Sequence, residues 1–101
     1  MDLRHARLIA YDIEDDRTRQ RIARLLEQYG VRIQKSVFLV NLTKSKLNYV
    51  CQQLGALCNG EGDVIDIIPV CGSCRARSVR IGPVPAPAIV VMGGEEEKEN
   101  K

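Results

Sequence analysis

Asp12 is where an argument about chemistry starts. It ends the apolar run Leu8-Ile9-Ala10-Tyr11 and is followed by Glu14, Asp15 and Asp16, then by arginines at 17, 19, 21 and 24. A carboxylate set against an apolar layer is destabilising unless it is protonated, hydrogen-bonded or bound to a cation. Two readings stand side by side. Asp12 caps the turn that follows, or it binds a hard cation such as Mg2+ or Mn2+, which prefers oxygen ligands and keeps several waters. The four arginines crowd what would be the start of a helix, where the dipole favours acids over bases. Either they pair with Glu14, Asp15 and Asp16, or guanidiniums and helix-start N–H groups together bind a phosphate. Arg32, Arg75, Arg77 and Arg80 spread the positive charge further along the chain. That spread fits a grip on a sugar–phosphate backbone rather than the reading of bases.

Other chemistry is sparse. His5 is the only histidine and lies beside the N-terminus, so no Ser-His-Asp or Cys-His arrangement can be assembled. No glycine-rich phosphate loop follows a strand. What remains is cation-activated water next to a polyphosphate, which is phosphodiester hydrolysis. Cys71-Gly72-Ser73-Cys74 reads as structural thiols, a redox couple or half of a zinc site, and those three readings stay open.

The elements that must hold these residues come from a chain of 101 residues, enough for one domain. Its 45% apolar and 28% charged residues place it among soluble globular proteins. No apolar run approaches the roughly 18 residues of a membrane span, and the N-terminus lacks a signal peptide's apolar core. No membrane association is expected. The expected location is the cytoplasm, where a disulfide framework is not anticipated. Residues 93–101 carry four acids against two lysines, so the remaining 92 residues hold a surplus of four positive charges. Nucleic acid is the partner such a balance suggests.

Residues 7–13 predict a buried central strand, with Asp15 or Asp16 as the N-cap of the next helix. Ile22, Leu25, Leu26 and Tyr29 form that helix's apolar stripe, and Gly30 is placed at its end in the left-handed C′ position. Residues 31–42 predict two strands joined by a tight turn at Lys35 and Ser36. Thr43 or Ser45 opens a second helix whose stripe, Leu47, Val50, Cys51, Leu54, Leu57 and Cys58, puts both cysteines in the core. A strand over 63–71 follows, then a short extra strand over 78–82. The order is βαββαβ with an added C-terminal strand: an α+β, ferredoxin-like sandwich spanning residues 1–82. Residues 83–101 read as a proline-rich linker and an acidic flexible tail. Ile89 to Met92 form an apolar patch there, either a loosely docked terminus or a strand offered to a partner's sheet.

Two helices on one side leave the other face of the sheet open. Because both faces of the first strand are apolar, a homodimer stacking its open sheet faces is expected. Across such an axis two Asp12 carboxylates would approach, and a bridging Mg2+ or Mn2+ would relieve their repulsion.

Tyr11-Asp12-Ile13 with Asp15-Asp16-Arg17-x-Arg19, then Tyr29-Gly30-x-Arg32-x-Gln34-x-Ser36-Val37-Phe38, then Ile68-Pro69-x-Cys71, resemble the CRISPR-associated Cas2 family over about residues 7–82. The resemblance implies a ferredoxin-like homodimer that takes part in spacer acquisition with the Cas1 integrase. It also implies Mg2+-dependent cleavage of single-stranded RNA or, in some members, duplex DNA. The family's metal-binding, catalytic aspartate falls on Asp12, one from each chain, and its flanking functional positions on Tyr11, Arg17, Arg19, Arg32 and Phe38. An alternative role within the same family is a non-catalytic adaptor that binds DNA and bridges integrase dimers.

Overall fold

The structure is a computed structural model that describes residues 5–58 and 60–83. Its elements are β1 (His5–Asp12), α1 (Asp16–Glu27), β2 (Gly30–Gln34), β3 (Val37–Leu42), α2 (Lys44–Leu57), β4 (Val64–Val70) and α3 (Gly72–Ala76). The four strands form one antiparallel sheet in the order β2-β3-β1-β4, which puts β1 in the interior. This is the ferredoxin-like arrangement.

The alternation along β1 decides what faces what. Ile9 and Tyr11 point to the helices, where they meet Ile22 and Leu26 of α1, Val50 and Leu54 of α2, and Phe38, Val40 and Leu42 of β3. Ile22, Leu26 and Val50 are fully buried, each contributing about 1.5–3 kcal/mol. Leu8, Ala10 and Asp12 therefore point to the opposite, open face. Part of that face is crossed by the chain after α3. Leu8, Leu39 and Val70 line an open cavity of about 450 Å³ that Arg75, Val79 and Ile81 border on the other side.

Local signals explain the boundaries. Asp15 is the N-cap of α1, accepting the Thr18 N–H at 2.8 Å and its hydroxyl at 3.0 Å. Thr43 caps α2 in the same way through the Lys46 N–H. The two-residue turn between β2 and β3 falls at Lys35 and Ser36, as the sequence indicates.

Four expectations need correcting. Gly30 is not a left-handed cap: α1 closes at Gln28, and Gly30 begins β2. Its role is close approach, because a Cβ there would collide with the Leu39 carbonyl oxygen and lie 2.7 Å from the Val40 Cα. Cys51 is exposed and Cys58 only half-buried, since the buried centre of the α2 stripe is Val50 and Leu54 and Cys51 falls at its margin. The last strand stops at Val70, because the Cys71 Sγ caps the short helix α3 by accepting the Cys74 N–H. The extra strand over 78–82 does not form. Residues 78–83 instead run irregularly, tied by Arg80, whose Nη2 donates to the Ile33 carbonyl at 2.8 Å. The tail expected over 83–101, with its patch at Ile89 to Met92, lies from residue 84 onward outside the described residues. Among the described residues no helix is long and apolar enough to cross a membrane.

Candidate functional site

The expected site residues gather at one end of the sheet, where β1 hands over to α1. Asp12 is exposed there, on the open face, paired in register with Val64 of β4. Among the described residues its carboxylate makes no hydrogen bond or ion pair. The reading of Asp12 as a turn cap is thereby answered: Asp15 does the capping.

Tyr11 points the other way. Its ring stacks on Phe38, with centroids 6.4 Å apart and planes 25° from parallel. Phe38 pairs with Ile9 on one side and Arg32 on the other. Arg32 lies with its Cζ 5.3 Å from the Phe38 ring centroid, a cation–π contact. Burial pushes the Tyr11 hydroxyl above its ordinary value against the pull of Arg32 and Arg19, so it stays neutral at physiological pH. The main chain fixes this end as well. The Tyr11 N–H donates to the Ser36 carbonyl at 3.0 Å, which ties the β2–β3 turn to β1 beside Asp12.

Arg19 holds the loop. Its Nη1 donates to the Ile13 and Glu14 carbonyls, both at 2.7 Å, while Nη2 forms an ion pair with Asp16. One planar fork thus braces the three residues between β1 and α1. Arg17, Arg21 and Arg24 are exposed along the helix. Arg19, Arg32 and Lys35 meet at a shallow cavity of about 170 Å³ that Tyr11, Ser36 and Asp16, the ion-pair partner of Arg19, also line. With Arg19 engaged by Asp16 and the loop carbonyls, Arg32 and Lys35 are the cations left to bind a phosphate group.

The structure brings Tyr11, Arg19, Arg32 and Phe38 together, but it sets Asp12 on the opposite face of the same strand end. Arg19 and Arg32 therefore do not surround Asp12 of the same chain, because consecutive strand residues face opposite ways. The Phe38 ring is fully buried and Tyr11 nearly so, so in this chain neither ring is open to a bound strand. What the surface presents is the Arg32 guanidinium, packed over Phe38. Arg17 stands apart from the cavity, one turn into solvent.

Sequence reasoning missed two residues. Lys35 was read only as a turn residue, although its place three residues after Arg32 in a two-residue hairpin brings it to the same cavity. Asp66 lies on the open face of β4 opposite Ala10, so it is a diagonal neighbour of Asp12, about 7–8 Å away. The alternation Val64, Asp66, Ile68 carried that signal.

The donor chemistry fits a hard cation only in part. Asp12 offers exposed carboxylate oxygens, but among the described residues no group of three His, Cys, Asp or Glu side chains could hold a metal. One chain supplies part of a site, and a second Asp12 would have to supply the rest.

Comparison with known proteins agrees with this architecture. The model for the family CRISPR associated protein Cas2 matches residues 5–78. A curated relative from Rhodospirillum rubrum, named CRISPR-associated endoribonuclease Cas2 4, is 42% identical over 89 residues, covering 83% of this chain and 72% of its own. Among solved structures, a Thermus thermophilus protein superposes with a TM-score of 0.70 at 34% identity, over 81% of this chain and 98% of that one. A chain in a partial Cas6-RT-Cas1–Cas2 complex superposes at a TM-score of 0.62 with 31% identity, over 88% and 100% of the two chains. With the sheet order, the strand-end aspartate and these matches in agreement, the chain belongs to the Cas2 family.

Proposed function

We propose that the chain works as a homodimeric, Mg2+- or Mn2+-dependent endonuclease of CRISPR adaptation, with single-stranded RNA its first substrate and duplex DNA its second. The observation that carries this is the position of Asp12: exposed, unused by the fold, and on the one face of the sheet that lacks helices. Endoribonuclease is the activity named for several relatives, among them the Rhodospirillum rubrum protein. The same face exposes Val64, Ile68, Val79 and Ile81, the last at 95%, which supports its burial against a second copy.

In that dimer the two Asp12 carboxylates would share the cation. When bound, the metal would neutralise charge developing on the phosphodiester and lower the pKa of a bound water. The chain's own residues do the positioning. Arg19 sets the loop that orients Asp12, Arg32 and Lys35 receive a phosphate, and Arg17 adds charge along the approach. Phe38, itself stacked on Tyr11, holds the Arg32 guanidinium by lying beneath it. Because the phosphate cavity and Asp12 lie on opposite faces, a bound strand passes around the end of the sheet.

A second reading is a non-catalytic adaptor that binds DNA and bridges Cas1 integrase dimers. The meagre donor set favours it, as does the likeness to a chain of a Cas1–Cas2 complex. Asp12→Asn separates the two. It leaves stability unchanged to within about 0.5 kcal/mol without metal. Under the first reading it abolishes Mg2+-dependent cleavage and spacer acquisition together. Loss of cleavage with acquisition intact makes the adaptor role the cellular one. Undiminished Mg2+-dependent cleavage refutes the assignment of Asp12.

A further inference from the structure

The Cys71-Gly72-Ser73-Cys74 turn takes no part in the site above. The two sulfurs lie 3.1 Å apart, both exposed. The Cys71 Sγ accepts the Cys74 N–H at 3.3 Å and sits 3.2 Å from the Ser73 hydroxyl oxygen. Three donors thus converge on one sulfur while it remains open to solvent. Hydrogen bonds from Ser73 and then Cys74 bring the Cys71 thiol down from 9.0 to about 7. Burial moves Cys58 the other way, and it is half-covered. A structural thiol would look like Cys58, whereas Cys71 has the exposure and polar surroundings of a reactive one.

We propose that Cys71 and Cys74 form a reversible dithiol–disulfide couple that exchanges with small-molecule disulfides of the glutathione class. The Cys71 thiolate attacks one sulfur of the disulfide RSSR; that S–S bond breaks, and the departing RS− takes up the proton Cys71 had lost to water. Cys74 then gives up its proton and attacks the Cys71 sulfur. The Cys71–Cys74 bond forms, and the second RS− leaves as RSH with that proton. Two protein thiols are oxidised and one disulfide is reduced to two thiols.

The position gives the couple a consequence. Cys71 follows β4 directly, and the Cys74 carbonyl accepts the Ser78 hydroxyl at 2.9 Å, where the chain turns onto the open face of the sheet. The bond would close at the joint between the sheet and the segment that Arg80 ties to Ile33.

The test uses the full chain, reduced and then equilibrated with oxidised glutathione at about pH 7. At neutral pH about half of Cys71 is thiolate against roughly 1% for a thiol at 9.0. Its lower basicity returns about ten-fold of that advantage, so Cys71 reacts about five-fold faster than an ordinary thiol. The expected product is one chain lighter by two hydrogens, with residues 71 and 74 linked in peptide mapping and dithiothreitol restoring both thiols. Cys74→Ser halts the reaction at a glutathionyl group on Cys71, and in the reduced parent chain iodoacetamide alkylation of Cys71 titrates with a midpoint near 7. Thiols 71 and 74 that stay fully alkylatable while exposed Cys51 is glutathionylated would overturn the proposal. So would stoichiometric zinc in the purified chain that shields both sulfurs, which would make the pair a metal site.

Discussion

Phe38→Leu tests how the buried aromatic pair serves the exposed cation. The ring is fully buried, so leucine leaves the core mostly filled and repacking costs less than about 1.5 kcal/mol. Losing the stack on Tyr11, at 6.4 Å between centroids, removes about 0.5–1.5 kcal/mol more. The contact of Arg32 at 5.3 Å contributes about 0.5–1 kcal/mol, the range for an exposed guanidinium. The total is about 2 kcal/mol, read by urea unfolding at fixed protein concentration, because a dimer's stability depends on concentration. A cycle with Arg32→Ala isolates the pair and should return a coupling of about 0.5–1 kcal/mol. Binding of single-stranded RNA across a salt series supplies the second readout. Arg32→Ala lowers the slope of log K against log salt by about 0.7 for each chain engaged. Phe38→Leu weakens binding with the slope intact, since the charge is still there but no longer held. A coupling of zero, or a slope insensitive to Arg32→Ala, would refute the role given to this pair.

The glycines make opposite predictions. Gly30→Ala forces a Cβ against the β3 backbone and destabilises at the upper end of about 1–3 kcal/mol, with β2 amides losing exchange protection. Gly55→Ala, with nothing within 4 Å of the new carbon in the middle of α2, stabilises by about 0.5–1 kcal/mol in the same urea assay. Asp15 predicts a pH dependence. The Thr18 N–H and hydroxyl hold its carboxyl below the ordinary 3.8, so the folded state binds this proton less readily than the unfolded one. Its contribution is complete above 3.8 and disappears as pH falls through the lower folded value. Denaturation of Asp15→Asn beside the parent should show a gap at neutral pH that closes in acid. A gap independent of pH would mean that the charge of Asp15 does not matter.

What the residues revealed in advance follows from the range of each signal. The turn at Lys35 and Ser36, the Asp15 and Thr43 caps, and the stripe through Ile22 and Leu26 are set by neighbours within a few positions, and all are legible. Alternation along β1 shows that Tyr11 and Asp12 face opposite ways. It does not show which face the helices take, and so it could not show that Arg32 would join Tyr11 rather than Asp12. Gly30 was assigned by its distance from the helix end, while the reason for it is a backbone on another strand. The stretch from Ser78 to Gly82 has the alternation of a strand, with Val79 and Ile81 on one side. That pattern specifies a strand only when a neighbour offers free backbone groups, and within this chain Arg80 already occupies the Ile33 carbonyl. Cys51 was placed inside because the stripe was drawn too wide; of α2 only Val50 and Leu54 are buried.

The Asp12 carboxylate stands free of the contacts that keep the sheet and helices together, whereas Phe38 and Gly30 are bound into them. A lineage can therefore lose the carboxylate by a single substitution and still inherit an intact scaffold; with Asp12 in the role proposed for it, cutting is the trait that drifts away while docking persists. Survival of the fold in a descendant says little about whether it still cleaves; the side chain at this one position says far more.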